Sequence, residues 1–273
     1  MGRARRRGIG VLPSLFTLGN LLCGFGSIAY ISGGPEAGPD RFVKAAWLIL
    51  FAMFFDALDG RIARLAKLTS RFGAELDSLA DIVTFGIAPA LLVKAVAAPL
   101  IHPRLLWPLC ALYAACAALR LARFNVETTP DPKAHMSFTG LPTPPAAGVV
   151  ASLFILHEHL TKPDERVFWM MIPDGMFDGV LPRVLPFLVV ALGALMISRL
   201  PNPHLLSRIL GGRRSFTHFV ALLFVGILAA IETEVILAVG FVAFALSGPV
   251  ASAVRRVRQH RAEREPTGQF RVR

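Results

Sequence analysis

Four aspartates carry most of the chemistry that can be read from this chain. Asp56 and Asp59 lie three residues apart and Asp77 and Asp81 four apart, within FDALDGRIARLAKLTSRFGAELDSLADIVTFGIAPA, the stretch from Phe55 to Ala90. Residues at these spacings share one face of a helix, so each pair sets two carboxylates side by side. The intervening segment 67–73, with Thr69, Ser70 and Gly73, has the composition of a chain reversal. Two antiparallel helices would then face the pairs across one cleft. The flanking sequence is apolar, and one Asp inside a membrane costs about 2.5–3.5 kcal/mol, less toward the interface. Four at full depth would cost about 10–14 kcal/mol before their mutual repulsion is counted. Neighbouring arginines offset part of this, but two divalent cations would neutralise the set far better. Carboxylate oxygens are hard ligands that suit Mg2+ or Mn2+, and also Ca2+, rather than zinc or copper. Two such ions can clamp phosphoryl oxygens through an in-line displacement.

The residues around the acids fit a phosphate-bearing ligand. Gly60 and Ala63 are the small positions on the first aspartate helix and allow close approach to its backbone. Arg64 follows within reach of a diphosphate, for which a guanidinium offers a two-pronged grip. The N-terminal turn of the second aspartate helix adds a dipole that favours anions. A single aspartate near a membrane surface is usually a solvated cap or the partner of an adjacent arginine. Two pairs with Gly, Ala and Arg between them argue against that. A cation transporter lined by the same acids is the rival of another class. It would spread carboxylates near the midplane over several helices, whereas these cluster on two consecutive ones.

The elements that must position these acids are membrane helices. Of 273 residues, 54% are hydrophobic and 17% charged, and the mean hydropathy is +0.58. A soluble domain carries about 25% charged residues. The three cysteines, Cys23, Cys110 and Cys116, lie in apolar runs without metal-ligand spacing and read as packing residues. A span needs about 20 mostly apolar residues. The expected fold is an all-α polytopic bundle with about eight spans, near 12–32, 43–66, 77–98, 105–124, 142–160, 182–200, 216–231 and 234–252. The last two are separated by Glu232-Thr233-Glu234, read as a tight exposed hairpin. Of the 29 Lys and Arg residues, 22 fall in one set of loops and 7 in the other. That asymmetry places both termini, and the aspartates, on the cytoplasmic side of the inner membrane. The expected organisation is a basic N-terminus (1–11), a catalytic core (12–200), two additional spans (201–252) and a basic tail (253–273) that is disordered or lies on the surface.

The spacing Asp56-x2-Asp59-Gly60-x2-Ala63-Arg64-x8-Gly73-x3-Asp77-x3-Asp81 resembles the signature of the CDP-alcohol phosphatidyltransferases, with every specified position present. The resemblance implies a six-helix core that exchanges CMP on a CDP-alcohol for an acceptor alcohol. It implies that Asp56, Asp59 and Asp77 are ligands of two divalent cations, and that Asp81 both touches a metal and serves as general base. It assigns nucleotide and diphosphate contacts to Gly60, Ala63, Arg64 and Gly73. Three further segments resemble the branch that uses CDP-diacylglycerol and L-serine: LPSLFTLGNLLCGF with Asn20, RLARFN from Arg120 to Asn125, and SFTGLPTPPAAG from Ser137 to Gly148. Glycerol 3-phosphate or inositol phosphate is the alternative acceptor within the family. Members of this kind are usually homodimers whose lipid substrates stay in the bilayer.

Other polar residues carry weaker signals. Asn20 is polar within a span and so a candidate for lining the donor site. Arg120 and Arg123, and less so Lys133, could bind the acceptor's carboxylate, though any positive-inside loop would contain them. His157 and His159 fall on the outer side and read as solvent-facing polar residues.

Overall fold

The computed structural model describes residues 2–34, 36, 38–66, 71–127, 140–162, 179–200 and 232–264. These form seven helices and no strand among the described residues. They are α1 (Gly2–Ser32), α2 (Arg41–Ala66), α3, α4 (Pro103–Glu127), α5 (Thr143–Thr161), α6 (Val180–Ile197) and α7 (Thr233–Arg264). α3 is continuous but changes pitch: Arg71–Asp81 is α-helical, Ile82–Ile87 is π-helical and Ala88–Ala97 is α-helical again. Seven of the expected spans thus coincide with helices, and the expected span 216–231 lies outside the described residues. Among the described residues, five helical stretches are long and apolar enough to cross a membrane by length and composition: Ser14–Ser32, Phe72–Ala97, Pro103–Val126, Val180–Ile197 and Thr233–Val257.

α3 lies between two apolar clusters. On one side Phe85, Ala88 and Leu92 pack with Ala45, Ala46, Ile49 and Ala52 of α2 and with Ala147, Ala151 and Phe154 of α5. On the other, Ala90, Val93 and Ala97 meet Leu106, Cys110, Tyr113 and Ala117 of α4 and Leu185, Val189 and Leu192 of α6. Alanines make up half of the first cluster, where small side chains let helix backbones approach closely, while larger aliphatic side chains fill most of the second. Cys110 and Cys116 are free thiols buried in this packing and Cys23 is half-buried, as expected of cysteines used for volume.

The π-turn has a local cause. Pro89 has no N–H, and in an α-helix its ring would collide with the carbonyl four residues earlier, that of Phe85. The chain widens instead, and the Ala88 N–H bonds the Val83 carbonyl five residues back. The Phe85 carbonyl is satisfied from α4, where the fully buried Tyr113 hydroxyl donates to it at 3.1 Å. Tyr113→Phe leaves that carbonyl buried without a donor, a loss of about 1–3 kcal/mol. A lowered thermal midpoint of the purified protein is expected, and an unchanged midpoint would contradict this account.

The entry to α5 is clamped to the end of α6. The Gly140 N–H donates to the Leu200 carbonyl at 2.9 Å and the Leu141 N–H to the Leu195 carbonyl at 3.0 Å. Gly140 has φ +86°, and a Cβ there would lie 2.5 Å from the Met196 carbonyl oxygen. Pro142 follows as the N-cap residue of α5. This turn fixes Thr143, which the site uses.

Several expectations need correction. Gly73 lies inside the first turns of α3, which begins at Arg71; residues 67–70 of the expected reversal are outside the described residues. Helix α7 runs unbroken to Arg264, so the tail is helical well beyond Arg255; VRRVRQHRAER lacks Gly and Pro and is rich in good helix formers. Glu232 is buried at 6% exposure, not exposed in a hairpin. Its carboxylate lies 3.5 Å from Nε2 of His159, itself largely buried rather than on the surface. A Cβ on Gly148 of α5 would lie 2.4 Å from the Phe241 ring of α7. The two contacts make α5 and α7 antiparallel, so Arg255 comes to the end of the bundle where α5 begins.

Candidate active site

Three helices bring the aspartates and their donors together. Asp56 and Asp59 come from α2, Asp77 and Asp81 from α3, and one carboxylate oxygen each of Asp56, Asp59 and Asp77 lies within 4.8 Å of the other two. Asp81 sits one turn beyond Asp77 at the start of the π-turn and is 7% exposed, and Asp59 is 5% exposed. From α1, the Thr17 hydroxyl donates to Oδ2 of Asp59 at 3.1 Å and Nδ2 of Asn20 donates to Oδ1 of Asp81 at 3.1 Å. Thr17 and Asn20 are three residues apart and therefore on one face of α1. Their approach depends on small residues: a Cβ on Gly24 would lie 2.2 Å from Oγ1 of Thr84 in α3. That hydroxyl in turn donates to the backbone carbonyl of Asn20 at 3.1 Å.

Among the described residues the acids are weakly compensated. None of the four forms an ion pair with a described residue, and Oδ1 of Asp77 is buried without a hydrogen-bond partner among them. A buried, unpartnered carboxylate oxygen beside two more carboxylates is costly unless a cation completes the group. The donor set is all oxygen, which fits a hard divalent ion.

Arg120 of α4 is a nearby cation. Its guanidinium interacts electrostatically with Asp81 and Asp56, and its Nη1 donates to Oγ1 of Thr143 at 3.0 Å. Arg123, close enough to act on Arg120 electrostatically, also donates to the Ile197 carbonyl at the end of α6 at 3.2 Å. That is a helix-end contact, which basic side chains near terminal carbonyls commonly make. Gly60 lies one turn after Asp56 and Gly73 one turn before Asp77. Ala63 and Arg64 continue α2, but their side chains, like Lys133, lie outside the described residues.

Sequence reasoning overlooked Thr17, Thr84 and the contact between Ser78 and Asn125, in which Nδ2 of Asn125 donates to Oγ of Ser78 at 2.9 Å. Ser78 lies between the two α3 aspartates. Thr17 was findable, because it is a second polar residue on the Asn20 face of an apolar helix. Nothing local marks Thr84, whose role depends on a helix 64 residues away.

Among the described residues, an all-helical bundle with a compact acidic centre at one end is the architecture of a polytopic membrane protein. Residues 10–181 match the family model described as CDP-alcohol phosphatidyltransferase, and the chain belongs to that family. The family is one of transferases, which decides against the cation-transporter reading. Among similar proteins, one from Helicobacter pylori is 35% identical over 195 residues, covering 71% of this chain and 72% of the relative. One from Mycobacterium bovis is 35% identical over 208 residues, covering 74% and 65%. One from Saccharomyces cerevisiae is 34% identical over 205 residues, covering 70% and 71%. All three bear the name CDP-diacylglycerol–serine O-phosphatidyltransferase.

Proposed function

We propose that this protein transfers the phosphatidyl group of CDP-diacylglycerol to the hydroxyl of L-serine, giving phosphatidylserine and CMP. The observation that carries the reading is the convergence of Asp56, Asp59 and Asp77, with Asp81 one turn on. Asp56, Asp59, Asp77 and Asp81 would hold two divalent ions, Mg2+ or Mn2+, whose charge would neutralise the diphosphate and polarise its phosphorus. The residues of the chain do the rest. Asp81 accepts the serine hydroxyl proton as the oxygen bonds to the phosphorus bearing diacylglycerol. The bond from that phosphorus to the bridging oxygen breaks, and CMP leaves with that oxygen. Gly60 and Gly73, with Ala63 and Arg64, give the nucleotide and diphosphate room and a cationic grip. Arg120, rather than Arg123, binds the serine carboxylate, since it faces the acids and Thr143 steadies it.

The site belongs at the cytoplasmic face. The ends of α1 and α7 that carry Arg3 to Arg7 and Arg255 onward lie at the same end of the bundle as the carboxylates, which supports that orientation. Purified protein given CDP-diacylglycerol and, in turn, L-serine, glycerol 3-phosphate and inositol phosphate should release CMP with serine. Faster release with a phosphorylated acceptor overturns the choice of serine, and no release with any of the three overturns the reaction. Arg120→Gln should raise the KM for serine about 10–100-fold, as expected for one lost charged hydrogen bond. The KM for the donor should change little; an unaltered serine KM would remove Arg120 from the acceptor site.

A further inference from the structure

Asn20 has a buried amide whose two ends are treated differently. The residue is 0% exposed. Its Nδ2 donates to Asp81, while its Oδ1 is buried and unpartnered among the described residues. An amide in an apolar span is costly, and an orphaned oxygen adds to that cost. The contact that fixes this orientation is the one to Asp81. The backbone is fixed as well: the Asn20 carbonyl accepts from Thr84, three residues after Asp81 on the same helix. Side chain and main chain of one α1 residue therefore bracket the start of the π-turn. Gly24, one turn on, permits this close approach.

We infer that Asn20 is a positioning residue for Asp81, holding Oδ1 of that carboxylate so that its other oxygen is left for the acceptor's hydroxyl proton. This differs from lining the donor site, and it rests on the phosphatidyl transfer proposed above. A carboxylate accepts hydrogen bonds and donates none, so an amide N–H group is a suitable restraint on one oxygen. Free rotation about the Asp81 side chain would spread that acceptor over several orientations, and small misplacements of a reacting group carry large rate penalties.

The test uses Asn20→Leu, of similar shape and without polar atoms, in purified full-length protein. The expected result is a kcat lowered about 10–100-fold, the size of one buried hydrogen bond to a charged group. KM for CDP-diacylglycerol and for serine, and CMP affinity by calorimetry, should stay within about twofold of wild type, since the contact reaches the reaction through Asp81 alone. Added to Asp81→Asn, the same substitution should not lower the residual rate further, because residues that act as a unit are not additive. Thr84→Val removes the backbone bracket while keeping the side-chain shape, and it should lower kcat more mildly with the same unchanged KM values. It supplies the measurement should Asn20→Leu fail to fold. A raised donor KM with kcat preserved, additive losses in the double variant, or wild-type turnover in the single variants overturns the role. Wild-type protein that is inactive with every acceptor overturns the reaction and this role together; an active wild type separates the two.

Discussion

Asp81→Asn is expected to lower the rate of CMP release by about 100- to 10,000-fold, the range that a positioned general base contributes, while CDP-diacylglycerol still binds. The substitution keeps the shape of the side chain and one carbonyl-type oxygen, so the acceptor of the Asn20 hydrogen bond survives. What it removes is the capacity to take a proton, together with the negative charge that Asp81 would lend to the ions. The surrounding cluster stays intact, because the three oxygens that lie within 4.8 Å of one another come from Asp56, Asp59 and Asp77. Donor affinity should therefore follow those three, and turnover should follow Asp81. Single-turnover CMP release gives the rate, and calorimetric titration with CMP gives the affinity. Near-normal turnover in Asp81→Asn would remove Asp81 from proton transfer. A lost affinity with a normal maximal rate would make it a binding residue instead.

Much of this arrangement was legible in the sequence because it is local. Asp56 with Asp59, and Asp77 with Asp81, are each a single helical turn apart, so any helix must set each pair on one face. The joining of the two pairs needed only a short connection. Asn20 was marked by being polar in an apolar span, but its partner lies 61 residues away, and no spacing rule reaches that far. The different hydrogen-bond partners of Arg120 and Arg123 were hidden for the same reason: they depend on whether α5 or the end of α6 lies opposite each guanidinium. Pro89 signalled an irregularity, yet its form, a π-turn closed by Tyr113, required a donor from another helix. Glu232 looked exposed because acids beside a membrane usually are, and only the docking of α7 against α5 buries it against His159. The helical extension to Arg264 was missed from charge alone, although its composition favours a helix.

Divalent ions should reverse the sign of one substitution's effect on the stability of this protein. In the cluster, like charges crowd together and Oδ1 of Asp77 is buried without a donor among the described residues. Without cations this repulsion destabilises the folded state, and Asp77→Asn relieves part of it. In chelator, the thermal midpoint of Asp77→Asn should therefore equal or exceed that of wild type. With Mg2+ or Mn2+ the order should invert, since an ion that binds only the folded state adds about 2.7 kcal/mol when present at 100 times its dissociation constant. The substitution forfeits a ligand and with it most of that gain. CMP release should stop in chelator and resume on adding either metal to wild type, and it should not resume in Asp77→Asn. Midpoints that ignore divalent ions in wild type would mean that the acids hold no cation, and phosphatidyl transfer would then need another source of positive charge.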